Sequence, residues 1–162
     1  MNGVIVADAS PLHYLILIDC ADGLPELFEH VLIPSVVRDE LLGHSTPQKV
    51  LDWITSPPPW LKIQSVTGFL PVAHLHRGEA AALQLALETK TPRVLIDDLD
   101  GRAAARRLGL AVIGTIGILE RMSETGLLDL PLTVSKLRLT NFFVSPDLLS
   151  AALERDWERH GT

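Results

Sequence analysis

Five carboxylates stand where folding could gather them: Asp8 after a first apolar run, Glu40 in an early amphipathic segment, Glu79 opening a later one, and the adjacent Asp97 and Asp98 after another apolar run. In a chain with 20 acidic residues, none is distinctive alone. Placement separates them, because most fall beside the expected ends of strands or helices. Carboxylates held within a few Å repel one another unless a cation joins them. Hard oxygen donors of this kind favour Mg²⁺ or Mn²⁺. The matching chemistry is metal-assisted attack of water on a phosphoryl group.

Each residue also has a competing structural role. Asp8 opens Asp8-Ala9-Ser10-Pro11, a good helix cap, yet a carboxylate directly behind a buried strand is costly unless solvated, paired or metal-bound. Ser10 either supports Asp8, a metal or its water, or caps a helix with Pro11 at the first helical position. Glu40 falls near Val36, Val37 and Leu41 on the helical wheel, beside the apolar face rather than opposite it, although with Arg38 and Asp39 it also fits a solvated helix face. Glu79 could simply complement a positive helix N-terminus. Asp97 and Asp98 point different ways, so at most one coordinates directly, and Asp98 could instead cap the next helix. Asp100 reads as a surface residue.

Arg102, Arg106 and Arg107 form a basic group after the acidic pair. They suit either a solvated helix face or contact with phosphate, for which guanidinium geometry is apt. His74 and His76 lack a clear third ligand for zinc and read as loop histidines. Trp53, Trp60 and Phe69 could stack bases, although packing at the core or its rim is the plainer role.

The elements that must position these groups alternate along the chain. Strands are expected at Val4–Ala7, Val31–Ile33, Leu61–Val66, Arg93–Ile96 and Ala111–Ile113. Helices are expected at Pro11–Ile18, Gly23–Glu29, Ser35–Leu42, Thr46–Thr55, Glu79–Glu88, Gly101–Leu108 and Thr115–Thr125, then near Pro131–Leu139 and Pro146–Arg159. Ser56-Pro57-Pro58-Pro59 reads as a loop, because neither side alone holds a complete α/β pattern. The alternation predicts an α/β domain with a largely parallel sheet. Sites in such sheets form at the carboxyl ends of strands, where Asp8 and Asp97-Asp98 fall.

The 162 residues suit a domain with a sizeable core, and 47% hydrophobic content argues against disorder. Aromatics are 5%, so the core must be mainly Leu, Val, Ile and Ala. A net charge of −6 disfavours a broad duplex-DNA surface but leaves room for a local basic patch that steers RNA. The single Cys20 excludes an internal disulfide and a multi-cysteine zinc site, and reads as core. No leader pattern and no apolar run of about 18 residues is present, so a cytoplasmic protein without membrane contact is expected.

Several segments together resemble a known family. Val4–Leu12 is similar to the opening of PIN-domain nucleases. Ile33–Leu41 resembles their next segment, which carries a metal-site glutamate. Gly78–Ala82 resembles the third acidic segment in a subgroup similar to VapC-type toxins. Val94–Leu110 resembles the last acidic segment, and Ile113–Leu119 the strand-to-helix continuation. The likeness spans residues 4 to about 128. It implies a three-layer α/β/α fold, placed in residues 1–130; residues 131–162 carry no motif of the family and are expected, from their own helical segments, as an extension packed on the same domain. It implies a Mg²⁺- or Mn²⁺-dependent endoribonuclease, often the toxin of a toxin–antitoxin pair. Asp8, Glu40, Glu79 and Asp98 would then be the metal-site acids, with Ser10 supporting, Asp97 competing with Asp98, and Arg102 holding a flanking phosphate. A small antitoxin and a homodimer are the partners it implies. The double acid and the glutamate at 79, where many members carry aspartate, depart from the usual pattern.

Two other readings remain open. PIN-like folds can persist as non-catalytic binding modules, although here all four acidic positions are filled. Asp8 after a first strand also loosely resembles haloacid-dehalogenase-like phosphatases, but Ser10 stands where their second acid belongs, and Lys62 and Lys90 are poorly placed for their lysine.

Overall fold

Burial on both faces of the central strands decides the architecture: Ile5, Val6 and Ala7, and Val94, Leu95 and Ile96, are all fully buried. The structure, a computed structural model, describes residues 3–68 and 74–161. Five strands form one sheet: β1 (Val4–Ala7), β2 (His30–Pro34), β3 (Leu61–Gln64), β4 (Arg93–Leu95) and β5 (Ala111–Ile113). Their order is β3-β2-β1-β4-β5, and every pairing among the described residues is parallel. Parallel neighbours need crossovers, supplied here mainly by helices. The helices are α1 (Ala9–Leu17), α2 (Leu24–Leu27), α3 (Ser35–Leu41), α4 (Gln48–Thr55), α5 (Arg77–Glu88), α6 (Leu99–Arg107), α7 (Thr115–Glu124), α8 (Leu130–Arg138) and α9 (Pro146–His160).

Successive strand residues enter different cores, as alternating Cβ directions require. Val6, Val94 and Ile96 pack with Ala82, Leu83, Ala86, Ala104 and Ala105 under α5 and α6. Ile5, Ala7 and Leu95 join Leu12, Leu15, Ile116 and Leu119 on the opposite face. The result is a three-layer α/β/α arrangement. Leu130, Val134 and Leu137 of α8 and Leu149 and Ala152 of α9 belong to that second core. The prolines at 57–59 lie in the connection from α4 to β3, and Val50, Ile54 and Leu61 on either side share one core.

Two local expectations are corrected. The first helix begins at Ala9, so Ser10 lies inside its first turn and is exposed, while Asp8 takes the N-cap position. The chain enters the helix directly from the strand, which leaves no room for Ser10 to cap. The third strand stops at Gln64 rather than Val66, where its pairing with β2 ends. Gly109 adopts φ +79 just after α6, a left-handed conformation that glycine tolerates, and turns the chain towards β5. No helix among the described residues is long and apolar enough to cross a membrane.

Sheet order places the site. From β1 the chain builds one way through β2 and β3, then returns to β4 on the other side of β1. The order therefore reverses between β1 and β4, and loops at their carboxyl ends diverge to leave a crevice. Asp8 leaves the end of β1, and Asp97 follows the end of β4. Backbone bonds hold the two ends level: Asp8 N–H donates to Leu95 O at 3.0 Å, and Ile96 N–H donates to Ile113 O at 3.0 Å.

Candidate active site

Asp8 is only 6% exposed. Its side chain makes no capping bond to the helix that it precedes. Burial is the main force on it, pushing its pKa from 3.8 up to about 7. A backbone hydrogen bond at Ala9 opposes the rise, while the charges of Glu79, Glu40 and Asp97 add to it. Four acids from four parts of the chain thus act on one another around the crevice.

Glu79 comes from the first turn of α5 and is equally buried, at 6% exposure. Its pKa is also raised, first by burial and then by the charge of Asp98. Its Oε2 is buried without a hydrogen-bond partner. Such an orphan acceptor costs free energy, so an electropositive partner would be strongly favoured there.

Glu40 reaches in from α3 and is raised by burial, with a Gly78 backbone hydrogen bond and the His76 and Arg77 charges opposing. A Cβ at Gly78 would collide with the Glu40 carboxylate. Only glycine lets α5 approach that closely. Because the colliding group is the free end of a flexible side chain, Gly78→Ala should displace Glu40 rather than break the fold. We expect about tenfold slower catalysis with little change in melting temperature, measured by parallel activity assays and thermal melts. A full-rate variant would show that Glu40 need not occupy this position.

The acidic pair divides. Asp97 is turned to α7, accepting from Thr115 N–H at 2.7 Å and from Thr115 Oγ1 at 2.6 Å. Burial raises its pKa, and the Thr115 bonds and the Arg102 charge oppose that. Asp98 is exposed and caps α6, accepting from Gly101 N–H at 3.1 Å. Arg102 leans back over the strand end and donates to Ile96 O at 3.3 Å. A Cβ at Gly114 would stand 2.5 Å from Arg102 Nη1 and 2.8 Å from Asp97 Oδ1, so this crossing also needs glycine.

Asp8, Ser10, Tyr14, Glu40, Glu79 and Asn141 wall a cavity of about 360 Å³, whereas Asp97, Asp98 and Arg102 line the adjoining groove. Tyr14 OH donates to Asn141 Oδ1 at 2.8 Å, which ties α1 to the segment between α8 and α9. Thr115, Tyr14 and Asn141 were not singled out in the sequence. Thr115 had a usable signal, since it follows β5 at the same sheet edge. Tyr14 and Asn141 are 127 residues apart and had none. His76 lies at the rim of the cavity and His74 is exposed. Trp53 and Trp60 pack together at the core margin, with ring centroids 5.7 Å apart, and Phe69 lies outside the described residues.

As placed, no three His, Cys, Asp or Glu groups among the described residues already form a metal cage. The donor set nonetheless fits a hard divalent cation. It is all oxygen, mutually repelling, and includes the partnerless Glu79 Oε2. Asp8, Glu40, Glu79 and Asp97 would hold the cation, with Asp98 beside Glu79 at the rim.

The family comparison agrees with this geometry. A family model described as DUF3368: PIN domain matches residues 4–158. No match was found among curated proteins. The family match runs from β1 into α9 and takes in every acid of the crevice, so the chain belongs to the PIN-domain family of nucleases.

Proposed function

We propose that this protein is a Mg²⁺- or Mn²⁺-dependent endoribonuclease and the toxin of a VapC-like toxin–antitoxin pair. The observation that carries the catalytic part is Asp8: a buried carboxylate with its pKa pushed to about 7, facing other acids and an orphaned Glu79 oxygen. A stable fold tolerates such repulsion most readily where a cation or a reacting group relieves it.

A bound divalent cation would neutralise charge on the scissile phosphate and make water a better nucleophile. The protein's own groups do the rest. Asp8 and Asp97, at the ends of β1 and β4, would hold the cation, and Thr115 fixes the Asp97 rotamer. Glu79 supplies its unpartnered oxygen from the facing helix. Glu40, at the open side, orients the attacking water or accepts its proton. Asp98 reinforces the negative field at Glu79, and Ser10 offers a hydroxyl beside Asp8. Arg102 stands next to Asp97, where it can hold a phosphate flanking the cleaved bond. A small antitoxin would inhibit by covering the crevice, and apolar helix faces would pair two copies.

The test is cleavage of a mixed-sequence, end-labelled RNA by purified protein. Internal cuts are expected with Mn²⁺ or Mg²⁺ and none in EDTA. Cutting that persists undiminished in EDTA would overturn the metal-dependent reading. Absence of cutting under all conditions, with no response of the melting temperature to Mn²⁺, would favour a non-catalytic module. Growth arrest on expression, relieved by a co-purifying small protein, is the corresponding test of the toxin assignment.

A further inference from the structure

The acid cavity opens into a much larger groove of about 1570 Å³. The two share Asp8, Ser10, Tyr14, Glu79 and Asn141 as walls, so one space continues into the other. The groove runs past α6 and α7 to α9. Its walls mix charges: beyond the site acids they carry Asp100, Glu120 and Glu124, together with Arg102 and Arg106 from α6, Arg121 from α7, and Arg155 and Arg159 from α9. Arg155 is held by Glu120 at 2.7 Å, and Arg159 lies within 4 Å of Glu120, Glu124 and Asp156. Arg106 and Arg121 have no carboxylate partner among the described residues.

The segment joining α8 to α9 forms one wall, and its side chains divide sharply. Phe142 packs edge-on against Tyr14, with centroids 5.0 Å apart, and its N–H donates to Thr140 Oγ1 at 3.1 Å. Thr140 Oγ1 in turn donates to Leu137 O at 2.6 Å. Asn141 is tied to Tyr14. Phe143, between these anchored residues and α9, is 87% exposed and lines the groove. A backbone held by these contacts therefore presents a bare aromatic face in the same groove as the unpaired Arg106 and Arg121. An exposed phenylalanine gains nothing from folding, whereas a base stacked on it would.

We propose that this groove is the substrate channel for single-stranded RNA, in which Phe143 stacks a nucleobase a short distance from the scissile bond and Arg106 and Arg121 hold the flanking phosphates. The assignment rests on the nuclease reading for the identity of the strand but concerns binding, so it is measurable without turnover. Base stacking accepts any sequence, and the arginines track the backbone.

The experiment is fluorescence anisotropy with a labelled single-stranded RNA of mixed sequence. The reference is the full chain carrying Asp8→Asn, in EDTA, which removes cleavage from the measurement. Adding Phe143→Ala should weaken binding about tenfold, and Phe143→Trp should restore it. Adding Arg106→Ala with Arg121→Ala should weaken binding and flatten its dependence on salt, by about 0.7 per lost phosphate contact in log–log slope. All three positions are exposed, so unchanged thermal melts are expected throughout. Affinity and salt slope equal to the reference in both variants would overturn the channel, as would failure of the reference to bind RNA. Phe143-dependent binding without any cleavage by wild type would sustain the channel and remove the nuclease. Cleavage with Phe143-independent binding would do the reverse.

Discussion

Asp8→Asn should lower RNA cleavage by about 10³-fold or more while leaving the protein folded and, without metal, more stable. The rate loss follows from removing the carboxylate that leaves the end of β1 and feels the charges of Glu79, Glu40 and Asp97. Charge stabilisation by a divalent ion at a phosphoryl centre amounts to several kcal/mol of the barrier, or about three powers of ten. The amide keeps the shape of the side chain but cannot supply the negative charge. The stability gain follows from the same burial. At neutral pH and above, wild type must hold a 6%-exposed carboxylate ionised against Glu79, Glu40 and Asp97, and the variant need not. Parallel measurement of cleavage rate and urea midpoint checks both halves. A variant that cuts at full rate would remove Asp8 from the mechanism, and one that unfolds would show a structural role instead.

The second large effect is on stability as a function of pH and divalent ion. The unfolded chain ionises Asp8 near 3.8, whereas the folded protein holds its proton up to about 7. Below 3.8 both states are protonated and Asp8 contributes nothing. Between the two values the unfolded state is favoured progressively, so stability falls as pH rises and levels off above 7. At about 1.4 kcal/mol per pH unit, the rise from 3.8 to about 7 corresponds to a loss of roughly 4 kcal/mol. The raised values of Glu40, Glu79 and Asp97 act in the same direction. In EDTA, the gap between Asp8→Asn and wild type should therefore widen from pH 4.5 to 7.5. Mn²⁺ or Mg²⁺ should close it at the upper end, since a ligand at 100 times its dissociation constant stabilises by about 2.7 kcal/mol. A gap independent of pH, or a melting temperature blind to millimolar Mn²⁺, would count against a preformed cation site.

The same burial explains which parts of the site were legible in advance. Asp8 was, because an acid placed directly after a β-branched run has few inexpensive explanations. The strand pattern was too: Val4–Ala7 and Ala111–Ile113 were expected with the bounds found, and the alternation of strands with helices specified the parallel sheet. Glu40 was less legible. Arg38 and Asp39 do pair on the surface at 3.0 Å, and although the wheel sets Glu40 beside the apolar face with Val36, Val37 and Leu41, only the packing of α5 shows that its carboxylate lies against Gly78. Ser10 was expected as a cap, but the helix starts two residues earlier than that role allows.

Local sequence thus determined the elements, their hydrophobic faces and the sheet edge at which a site must form, because those depend on periodicity and on residues within a few positions of one another. Tertiary structure alone decided how the acids share their work. Asp97 and Asp98 are chemically identical neighbours, and only the presence of Thr115 beneath one and the first turn of α6 beneath the other turns the first to α7 and makes the second a cap. Likewise, the Tyr14–Asn141 contact joins residues 127 apart, and the arginines of α6, α7 and α9 meet only because the sheet order brings their helices to one groove. Side-chain direction and long-range proximity are set by how the layers pack, and that information is spread over the whole chain.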